Sequence, residues 1–478
     1  MFGDLRAFIS RVQEVDRLQL IEGADWNLEI GVLTELLCPT ADSPLLLFDD
    51  IKGYPRGYRV ATNLISTERR FALATGLPLE AKGLDLVNAW RQKAKGEFTP
   101  IPPVEVQTAP VKENIYAGDD VDVFEFPTPK WHELDGGRYI GTGDMVVLQD
   151  PDTGWVNLGT YRVQIFDKAV ATIYMDPGRH GDVIRRKYWE RGLGCPAAVV
   201  CGQEPLIWTV ANTPLAQGIS EYDYAGWMKG APVEVTRGPV TGLPIPATAE
   251  VVLEGQIVPP NVETRLEGPF GEWSGYYASG GRQEPAFRVE AILHRNDPII
   301  TGAPPLAIPA DPFKWGKNIV RSAQVWDELE TKVPGVRGVW SVGEAAGRHM
   351  IVVSIEQRYG GHAKHTAMAV ASCYTTSQIN RFIIIVDDDI DPSNMSQVLW
   401  ALGTRCDPET SIDIIRQCYG TPLDTMLSPE KRSRRDFTHS KAIIVACKPY
   451  YWMKEFPAPV ASGRELSEKV KEKWRHLF

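Results

Sequence analysis

The chain has 478 residues, of which 43% are hydrophobic and 23% are charged, and its formal net charge at pH 7 is −10. A chain of this length is too long for a single hydrophobic core, so we expect two or three domains. The acidic balance argues against a nucleic acid or an anionic membrane as partner, because both attract a basic surface.

No apolar run is long enough to span a bilayer, so we expect no membrane span. The first residues, Met1-Phe-Gly-Asp-Leu-Arg6, lack the basic and then apolar pattern of a signal peptide. The seven cysteines are scattered and include no C-x2-C pair, which predicts neither a zinc site nor a disulfide framework. We therefore expect a cytoplasmic protein with reduced cysteines.

Residues 1–115 predict an N-terminal α/β domain. Apolar residues recur at helical spacing from Leu5 to Leu18 and from Leu84 to Lys95, whereas Pro44 to Phe48 is typical of a buried strand. The proline-rich stretch from Thr99 to Pro103 cannot be a helix or a central strand, and it marks the first candidate boundary.

Residues 116–305 predict a central all-β domain. Short β-type runs separated by Gly, Pro and Asp turns are typical of a barrel or a sandwich. The runs are Met145–Leu148, Tyr161–Ile165, Ala198–Cys201, Ala249–Leu253 and Ala286–Ala291. Pro304, Pro305 and Pro309 then mark a second break.

The last third alternates between strand and helix patterns, which predicts a parallel α/β domain. The strand candidates are Met350–Ser354 and Phe382–Val386, and the helix candidates are Lys317–Glu330, Ala363–Cys373 and Met395–Leu402. We place a connecting helix at 306–325 and a C-terminal α/β domain at 326–478.

Two glutamates flank a bend in the segment Arg265-Leu-Glu-Gly-Pro-Phe-Gly-Glu-Trp-Ser-Gly275. Glycine and proline between Glu267 and Glu272 predict a turn that aims both carboxylates at one small volume. Carboxylates that share a volume push their pKa values apart, so that one holds a proton while the other stays ionised. An isolated E-x4-E pair is more often two solvated loop acids, so the interpretation depends on the rest of the chain.

Four other side chains are candidates for the same chemistry. Arg162 offers a planar fork that pairs with a carboxylate, although alone it is more often an exposed strand charge. Asn157, His180 and Glu221 supply an amide oxygen, an imidazole and a carboxylate, a mixture that suits Mn²⁺ or Mg²⁺ better than zinc or copper. Their wide spacing makes this a weak signal by itself.

With these segments together, the chain resembles the UbiD family of reversible decarboxylases, which use prenylated FMN. The resemblance covers nearly the whole chain, and six short segments occur in the order found in that family. They are Asn157-Leu-Gly-Thr-Tyr-Arg162, Ser220-Glu-Tyr-Asp-Tyr-Ala-Gly226, Glu267-Gly-Pro-Phe-Gly-Glu272, Arg358-Tyr-Gly-Gly-His-Ala-Lys364, Asp387-Asp-Asp-Ile-Asp-Pro392, and Gln397-Val-Leu-Trp-Ala-Leu402 with Thr404-Arg-Cys-Asp-Pro408.

The resemblance implies an α/β (α+β) multidomain fold. The central domain is then a split β-barrel that binds the flavin. The C-terminal domain, joined to it by the connecting helix, mediates a homodimer or a larger assembly. The resemblance also implies a flavin prenyltransferase as the partner that supplies the cofactor.

For the cofactor, the resemblance implies that Asn157, His180 and Glu221 hold a Mn²⁺ or Mg²⁺ ion that bridges to the flavin phosphate, with K⁺ or Na⁺ nearby. The positions that match cofactor-binding residues are Asn157, Thr160, Tyr161, Arg162, Met175, Arg179, His180, Gly181, Glu221 and Arg381. Relatives often carry lysine at the last of these positions. Arginine can also pair with a phosphate, but as a fork rather than as a point charge.

For the reaction, the resemblance implies that Glu267, Arg162 and Glu272 form a catalytic network with Glu272 as the proton donor. Loss of CO2 from an sp² carbon leaves a carbanion, so a cofactor must hold the electrons. We therefore expect a non-oxidative, reversible decarboxylase of an aromatic, heteroaromatic or α,β-unsaturated acid. We expect Trp315 to Asn318 and Gly420 to Asp424 to line the substrate pocket.

Two alternatives remain open. A hydrolase could use Glu267 and Glu272 as the two-carboxylate pair of glycosidases, but this leaves Arg162 and the metal-type residues unexplained. A non-catalytic flavin-binding subunit of a multi-subunit carboxylase is the other alternative, although such a subunit has no need of all three catalytic residues. The chain has no dinucleotide-binding, Walker A, zincin or nucleophile-elbow motif, which disfavours those enzyme classes.

Overall fold

The computed structural model describes residues 2–40, 43–308, 310–311 and 314–477, with only the backbone described for Lys314, Trp315, Lys317 and Arg464. Within these residues the strands form four sheets, of four, ten, three and five strands. The mixed α/β, multidomain fold predicted from the sequence is confirmed. Pro309, predicted to mark a break, lies outside the described residues.

The N-terminal part begins with a helix that ends earlier than its apolar spacing predicts. Leu5, Phe8 and Val12 are fully buried on one face, and the Asp4 side chain caps the first turn. The helix ends at Val15, and Leu18 already belongs to the first strand. The elements are α1 (Leu5–Val15), β1 (Leu18–Glu22), α2 (Glu29–Leu37), β2 (Leu45–Asp49), β3 (Arg59–Thr62), α3 (Glu68–Thr75) and α4 (Gly83–Lys93).

The central part contains most of the strands. They are β4 (Val104–Glu105), β5 (Asn114–Ala117), β6 (Arg138–Gly141), β7 (Met145–Gln149), β8 (Val156–Gly159), β9 (Val163–Asp167), β10 (Val170–Ile173), β11 (Cys195–Cys201), β12 (Glu234–Arg237), β13 (Pro244–Pro246), β14 (Val251–Ile257), β15 (Thr264–Glu267), β16 (Arg282–His294) and β17 (Ile299–Gly302). Its helices are α5 (His180–Glu190), α6 (Pro205–Ala211) and α7 (Glu221–Lys229).

The large central sheet is antiparallel and curls into a half-barrel, as the predicted split barrel requires. Its order is β6-β9-β10-β16-β14-β11-β7-β8, and β5 and β15 also pair with the long strand β16. Alternate residues of these strands are buried between the sheet and its helices. The predicted strand from Tyr161 to Ile165 begins only at Val163, because Tyr161 and Arg162 lie in the loop that enters the site.

The N-terminal and central parts share a sheet. Strand β17, at the end of the central part, pairs in parallel with β3 and completes the four-stranded sheet β1-β2-β3-β17. The three-stranded sheet β13-β12-β4 lies within the central part, where β4 follows the proline-rich connector. The two parts are therefore linked by backbone hydrogen bonds as well as by side-chain packing.

A helix connects the central part with the C-terminal sheet. This helix, α8 (Lys314–Glu330), begins and ends later than the predicted segment 306–325. The C-terminal elements are β18 (Val336–Ser341), β19 (Met350–Ile355), α9 (His362–Ser372), β20 (Phe382–Asp387), α10 (Met395–Arg405), α11 (Pro408–Ser411), β21 (Ile412–Cys418), α12 (Pro429–Ser433), β22 (His439–Ala446) and α13 (Arg464–Lys473).

The C-terminal sheet has the order β18-β19-β20-β22-β21, with three parallel central strands and antiparallel strands at both edges. The apolar run of β20 lies in the middle of this sheet, where both faces are covered. None of the described helices is both long and apolar enough to cross a membrane.

Candidate active site

The bend that carries the two glutamates packs closely against the rest of the half-barrel. Glu267 ends β15 and is fully buried, and Glu272 is 6% exposed. Gly136 approaches the bend so closely that a Cβ there would lie 2.0 Å from the carbonyl oxygen of Gly268. Gly268 has a φ of +84°, a conformation that favours glycine. The backbone therefore fixes the directions of both acids.

Arg162 lies between the two glutamates and binds both. Its Nε and Nη2 donate to Oε1 and Oε2 of Glu267, each at 2.8 Å, which is a bidentate pair. Its Nη1 donates to Oε1 of Glu272, also at 2.8 Å. The structure thus brings together the three residues predicted to be catalytic.

Burial and neighbouring charges act differently on the pKa values of Glu272 and Arg162. Burial raises the pKa of Glu272 above its usual value, while the nearby Arg162 charge opposes that shift. Burial by itself would lower the pKa of Arg162. Glu272 and Glu267 outweigh that effect and raise the pKa above its usual value, so the guanidinium stays charged. Glu272 is therefore an acid that can hold a proton next to a permanent cation.

Two polar residues that the sequence did not single out complete the surroundings of Glu267. The Tyr139 hydroxyl lies 3.2 Å from Oε1 of Glu267 and 3.0 Å from Oε1 of Gln164. The Gln164 oxygen also accepts from the backbone N–H of Gly268 at 2.9 Å. Tyr139 and Gln164 come from β6 and β9, so only the sheet pairing, and no local motif, places them beside the bend.

Further missed residues surround Glu272 and Arg162. The Ser279 hydroxyl donates to Oε1 of Glu272 at 3.1 Å. The Arg162 guanidinium lies 4.4 Å from the ring centre of Tyr174. Burial raises the pKa of Glu284 to about 7, with Arg185 and Arg282 opposing the shift and the charge of Glu267 adding to it. Glu284 is therefore a third carboxyl group close to this network.

The three predicted metal ligands lie at one end of the half-barrel. Asn157 is on β8, and His180 and Glu221 are the first residues of α5 and α7. Asn157 Nδ2 donates to Oε1 of Glu221 at 2.9 Å, and the backbone N–H of Leu158 donates to Oε2 at 2.8 Å. His180 packs edge-on against Trp155, with 5.0 Å between ring centres. The helix starts thus direct an imidazole and a carboxylate towards the strand.

These residues fit a divalent ion. Asn157 Oδ1 is buried without a hydrogen-bond partner, and burial lowers the pKa of His180, which leaves its ring nitrogens neutral. Burial raises the pKa of Glu221 to about 8, a shift that a bound cation would oppose. Among the described residues no group of three or more His, Cys, Asp or Glu could hold a metal ion, and this set differs because it includes an amide.

A cavity of about 540 Å³ is lined by sequence neighbours of Asn157 and Glu221, among them Trp155, Val156, Ser220 and Tyr222. Asn157, His180 and Glu221 themselves do not line it. Because successive residues of a strand face opposite sides, the cavity at Val156 is not the space that Asn157 faces.

The positions predicted to surround the flavin are mostly grouped near the same end. Tyr161 accepts a hydrogen bond from the backbone N–H of Gly181 at 3.1 Å. A Cβ at Gly181 would meet the Tyr161 hydroxyl at 2.7 Å and the Met175 sulfur at 3.0 Å. Thr160 donates to Oδ1 of Asn212 at 2.9 Å, a partner that the sequence did not indicate. Glycine at position 181 therefore permits this close packing.

Arg381 lies in the C-terminal part, immediately before β20, and forms an ion pair with Asp424. Asp424 belongs to the loop from Gly420 predicted to line the substrate pocket. The Arg381 charge also lowers the pKa of His349, after the larger effect of burial. In the other predicted pocket segment, the side chains of Trp315 and Lys317 lie outside the described residues, whereas Asn318 is 1% exposed and both of its amide atoms lack a partner.

Comparison with known families accounts for most of the chain. Residues 9–90, 103–306 and 315–446 match the N-terminal, Rift-related and C-terminal domains of 3-octaprenyl-4-hydroxybenzoate carboxy-lyase, the UbiD models. The chain belongs to the UbiD family. The predicted family is thereby confirmed, as is the class of enzyme, a UbiD-like carboxy-lyase.

Individual UbiD proteins resemble the chain over its full length. A pyrrole-2-carboxylic acid decarboxylase of Pseudomonas aeruginosa is 32% identical over 98% of this chain and 97% of its own. The solved structure of Sedimentibacter hydroxybenzoicus vanillic acid decarboxylase in open form is 30% identical, with a TM-score of 0.84 and 99% of both chains covered. An evolved dimeric form of the UbiD-class enzyme HmfF from Pelotomaculum thermopropionicum, in complex with prFMN, is 25% identical, with a TM-score of 0.81 and 98% of both chains covered.

Proposed function

We propose that this protein is a non-oxidative, reversible decarboxylase that uses prenylated FMN and acts on an aromatic, heteroaromatic or α,β-unsaturated carboxylic acid. The observation that carries the proposal is the position of Arg162, 2.8 Å from both Glu267 and Glu272 in a buried site. The relatives that act on pyrrole-2-carboxylic and vanillic acids favour the aromatic and heteroaromatic classes.

The three catalytic residues have separate roles in this proposal. Both oxygens of Glu267 accept hydrogen bonds from Arg162, so Glu267 holds the guanidinium in position next to Glu272. Glu272 accepts from Arg162 and Ser279 through Oε1, so Oε2 is the atom that carries the transferable proton. The cofactor, when bound, supplies the electron sink that loss of CO2 from an sp² carbon needs.

Asn157, His180 and Glu221 hold a Mn²⁺ or Mg²⁺ ion next to the flavin phosphate in this proposal, with K⁺ or Na⁺ nearby. The unpartnered Asn157 oxygen and the neutral His180 ring support the assignment. Thr160, Tyr161, Met175, Arg179, Gly181 and Arg381 complete the cofactor-binding residues. The proposal also includes a flavin prenyltransferase as cofactor supplier and a cytoplasmic location.

The proposal also includes the assembly: the protein forms a homodimer, or a larger homo-oligomer, through residues 326–478. Several large apolar side chains on that part are exposed, including Leu399 at 63%, Ile414 at 50% and Tyr451 at 89%. Strand β21 lies at the edge of its sheet with most of its residues exposed. Light scattering at micromolar concentration should give at least twice the 53.2 kDa chain mass, and a monomer would contradict this assignment.

The rival functions are distinguished by one experiment. The chain is co-expressed with a flavin prenyltransferase, and the purified protein is screened for CO2 release from aromatic and heteroaromatic acids. We expect flavin-like absorbance and CO2 release, with no CO2 release from protein expressed without the prenyltransferase. A protein that carries the flavin but releases CO2 from no acid would favour the non-catalytic subunit. Colourless protein that hydrolyses a glycoside would favour the hydrolase.

A further inference from the structure

Three arginines gather next to the proposed active site. Arg179 immediately precedes α5, Arg321 lies on α8, and Arg348 precedes β19. Their charges act on one another: Arg179 and Arg348 both disfavour the charged form of Arg321, and Arg179 does the same to Arg348. Within the described part of the chain, no carboxylate forms an ion pair with any of the three, whereas Arg162 forms two. We call this group the arginine cluster.

Two members of the arginine cluster, Arg321 and Arg348, lie deep in the protein, whereas Arg179 is exposed. Arg321 and Arg348 each keep part of their side chains accessible. Yet burial lowers the pKa of Arg321 to about 9 and that of Arg348 to about 10, which means that protein surrounds both guanidinium groups. Accessible atoms at such depth face a recess of the protein. Asp176 and Asp311 partly offset the shift at Arg348.

The contacts of Arg348 place the arginine cluster beside the catalytic bend. The Arg348 guanidinium lies 5.2 Å from the ring centre of Trp273, the residue that follows Glu272. The other neighbour of that indole is His349, with 5.0 Å between ring centres. Nε of Arg348 is buried and has no hydrogen-bond partner. The guanidinium is thus held in place by a ring contact, and a donor remains available.

The contacts of the other two arginines place the cluster at the metal end of the site. Arg179 is adjacent to His180 in sequence, at the positive end of an eleven-residue helix. Arg321 donates through Nη1 to the carbonyl oxygen of Thr375 at 2.5 Å, which leaves its other nitrogens for a ligand. The arginine cluster therefore lies between the predicted metal ligands and the bend.

We propose that Arg321 and Arg348, together with the exposed Arg179, form a recessed oxyanion subsite that binds an acidic group of a ligand in the proposed active site. Buried like charges are costly unless an opposite charge joins them, and guanidinium groups bind phosphate and carboxylate oxygens as forks. Two sources offer such a group: the phosphate of the flavin and a carboxylate of the substrate. The inference rests on the proposed function for the identity of these ligands, and the test separates the two.

The first arm compares FMN with riboflavin, which lacks the phosphate. Binding of each to cofactor-free protein is measured by fluorescence for the wild type, Arg321→Gln and Arg348→Gln. If the subsite takes the phosphate, each variant binds FMN about 10- to 100-fold more weakly, the scale of a lost charged hydrogen bond, and binds riboflavin as the wild type does. Arg348→Lys, which keeps the charge, should recover part of the FMN affinity.

The second arm measures steady-state kinetics of the reconstituted enzyme. If the subsite takes the substrate, FMN affinity is unchanged in both variants, and KM for the acid rises about tenfold or more with a smaller change in kcat. Arg337→Gln is the matched control, because Arg337 pairs with Glu356 on the surface of the same C-terminal part. Unchanged FMN affinity together with unchanged KM in both variants would overturn the subsite.

The third arm keeps the subsite testable if the wild type binds no flavin and the proposed function fails. Inorganic phosphate should raise the melting temperature of the cofactor-free wild type and should do so less for Arg321→Gln. Without phosphate, this variant should melt at or above the wild-type temperature, because it loses a repelled buried charge. If phosphate does not raise the melting temperature of the wild type, or raises that of the wild type and Arg321→Gln equally, the proposed subsite is wrong.

Discussion

The carboxylate site, formed by Arg162, Glu267 and Glu272, and the arginine cluster use the same side chain in opposite ways. In the carboxylate site one arginine makes three hydrogen bonds of 2.8 Å to two acids. In the arginine cluster, three arginines lie near one another without an ion-paired carboxylate among the described residues. Both regions adjoin the same bend, through Glu272 and through Trp273.

The difference separates what the protein supplies from what a ligand supplies. The carboxylate site has its cation and both of its acids within the chain, so its geometry exists before a ligand binds, as preorganised catalysis requires. The arginine cluster has positive charge in excess, and an incoming oxyanion would balance it. On this account, substitutions in the carboxylate site should lower stability and turnover together, whereas substitutions in the arginine cluster should change ligand binding.

The largest expected effect comes from removing the arginine of the carboxylate site. Arg162→Ala leaves two buried carboxylates without their cation, and breaking a buried ion pair typically costs about 3–5 kcal/mol in the free energy of unfolding. Turnover should fall about 10³-fold, the scale for removing an electrostatic contact at a reacting centre. Urea denaturation and steady-state kinetics measure the two effects.

The matched control is Arg265→Ala, because Arg265 lies on the same strand as Glu267 and pairs with Glu263 near the surface. Surface pairs contribute about 0–1 kcal/mol, so this variant should resemble the wild type. The contrast between the two regions would be lost if Arg162→Ala unfolded at the same urea concentration as Arg265→Ala.

A second test addresses the metal end, next to the arginine cluster. Glu221→Ala removes the carboxylate that lies against Asn157, so the purified protein should lose most of its bound Mn²⁺ or Mg²⁺ and its flavin. Asp223→Ala, two residues further along the same helix, should keep both. Elemental analysis and flavin absorbance measure the contents. Full metal and flavin in Glu221→Ala would show that the ligand assignment is wrong.

A smaller effect is expected from the third acid near the carboxylate site. The pKa of Glu284 is raised from 4.5 to about 7, so between these two pH values the folded state binds a proton that the unfolded state has lost. The stability that this proton contributes to the folded state is fully present at low pH and is lost as the pH rises through 7. Between pH 5 and pH 8, the free energy of unfolding of Glu284→Gln should therefore rise by about 1–3 kcal/mol relative to that of the wild type. If the melting temperatures of the wild type and of Glu284→Gln change by the same amount between pH 5 and pH 8, the buried-acid account is contradicted.

Much of the carboxylate site could be predicted from the sequence, because its acids lie on one short glycine- and proline-containing bend. The family resemblance also singled out Arg162 and the three metal-type residues. Tyr139 and Gln164 could not be predicted in this way, since strand pairing brings them to Glu267 from separate strands. The same limit applies to Ser279, which reaches Glu272 only because the chain folds back after the bend.

The arginine cluster was predicted only in part. Arg179 matches a cofactor-binding position of the family, whereas Arg321 and Arg348 have the sequence surroundings of ordinary surface charges on a helix and in a turn. Only tertiary packing brings them towards the site: α8 packs against α4 and β18, and Arg348 lies against Trp273 of the bend. The helical spacing from Lys317 to Glu330 predicted the end of α8 correctly and its start within three residues, whereas the connecting helix placed at 306–325 was shifted towards the N-terminus.

The central claim is that Glu272 gives its proton to the product, and Glu272→Gln tests it most directly. Glutamine keeps the shape of the side chain but has no acidic proton, so flavin content should stay normal while turnover falls roughly 10²-fold or more. Exchange of solvent deuterium into the product, followed by NMR, should fall by the same factor. Turnover and deuterium exchange near wild-type values, on an acid for which chemistry limits the rate, would contradict the account.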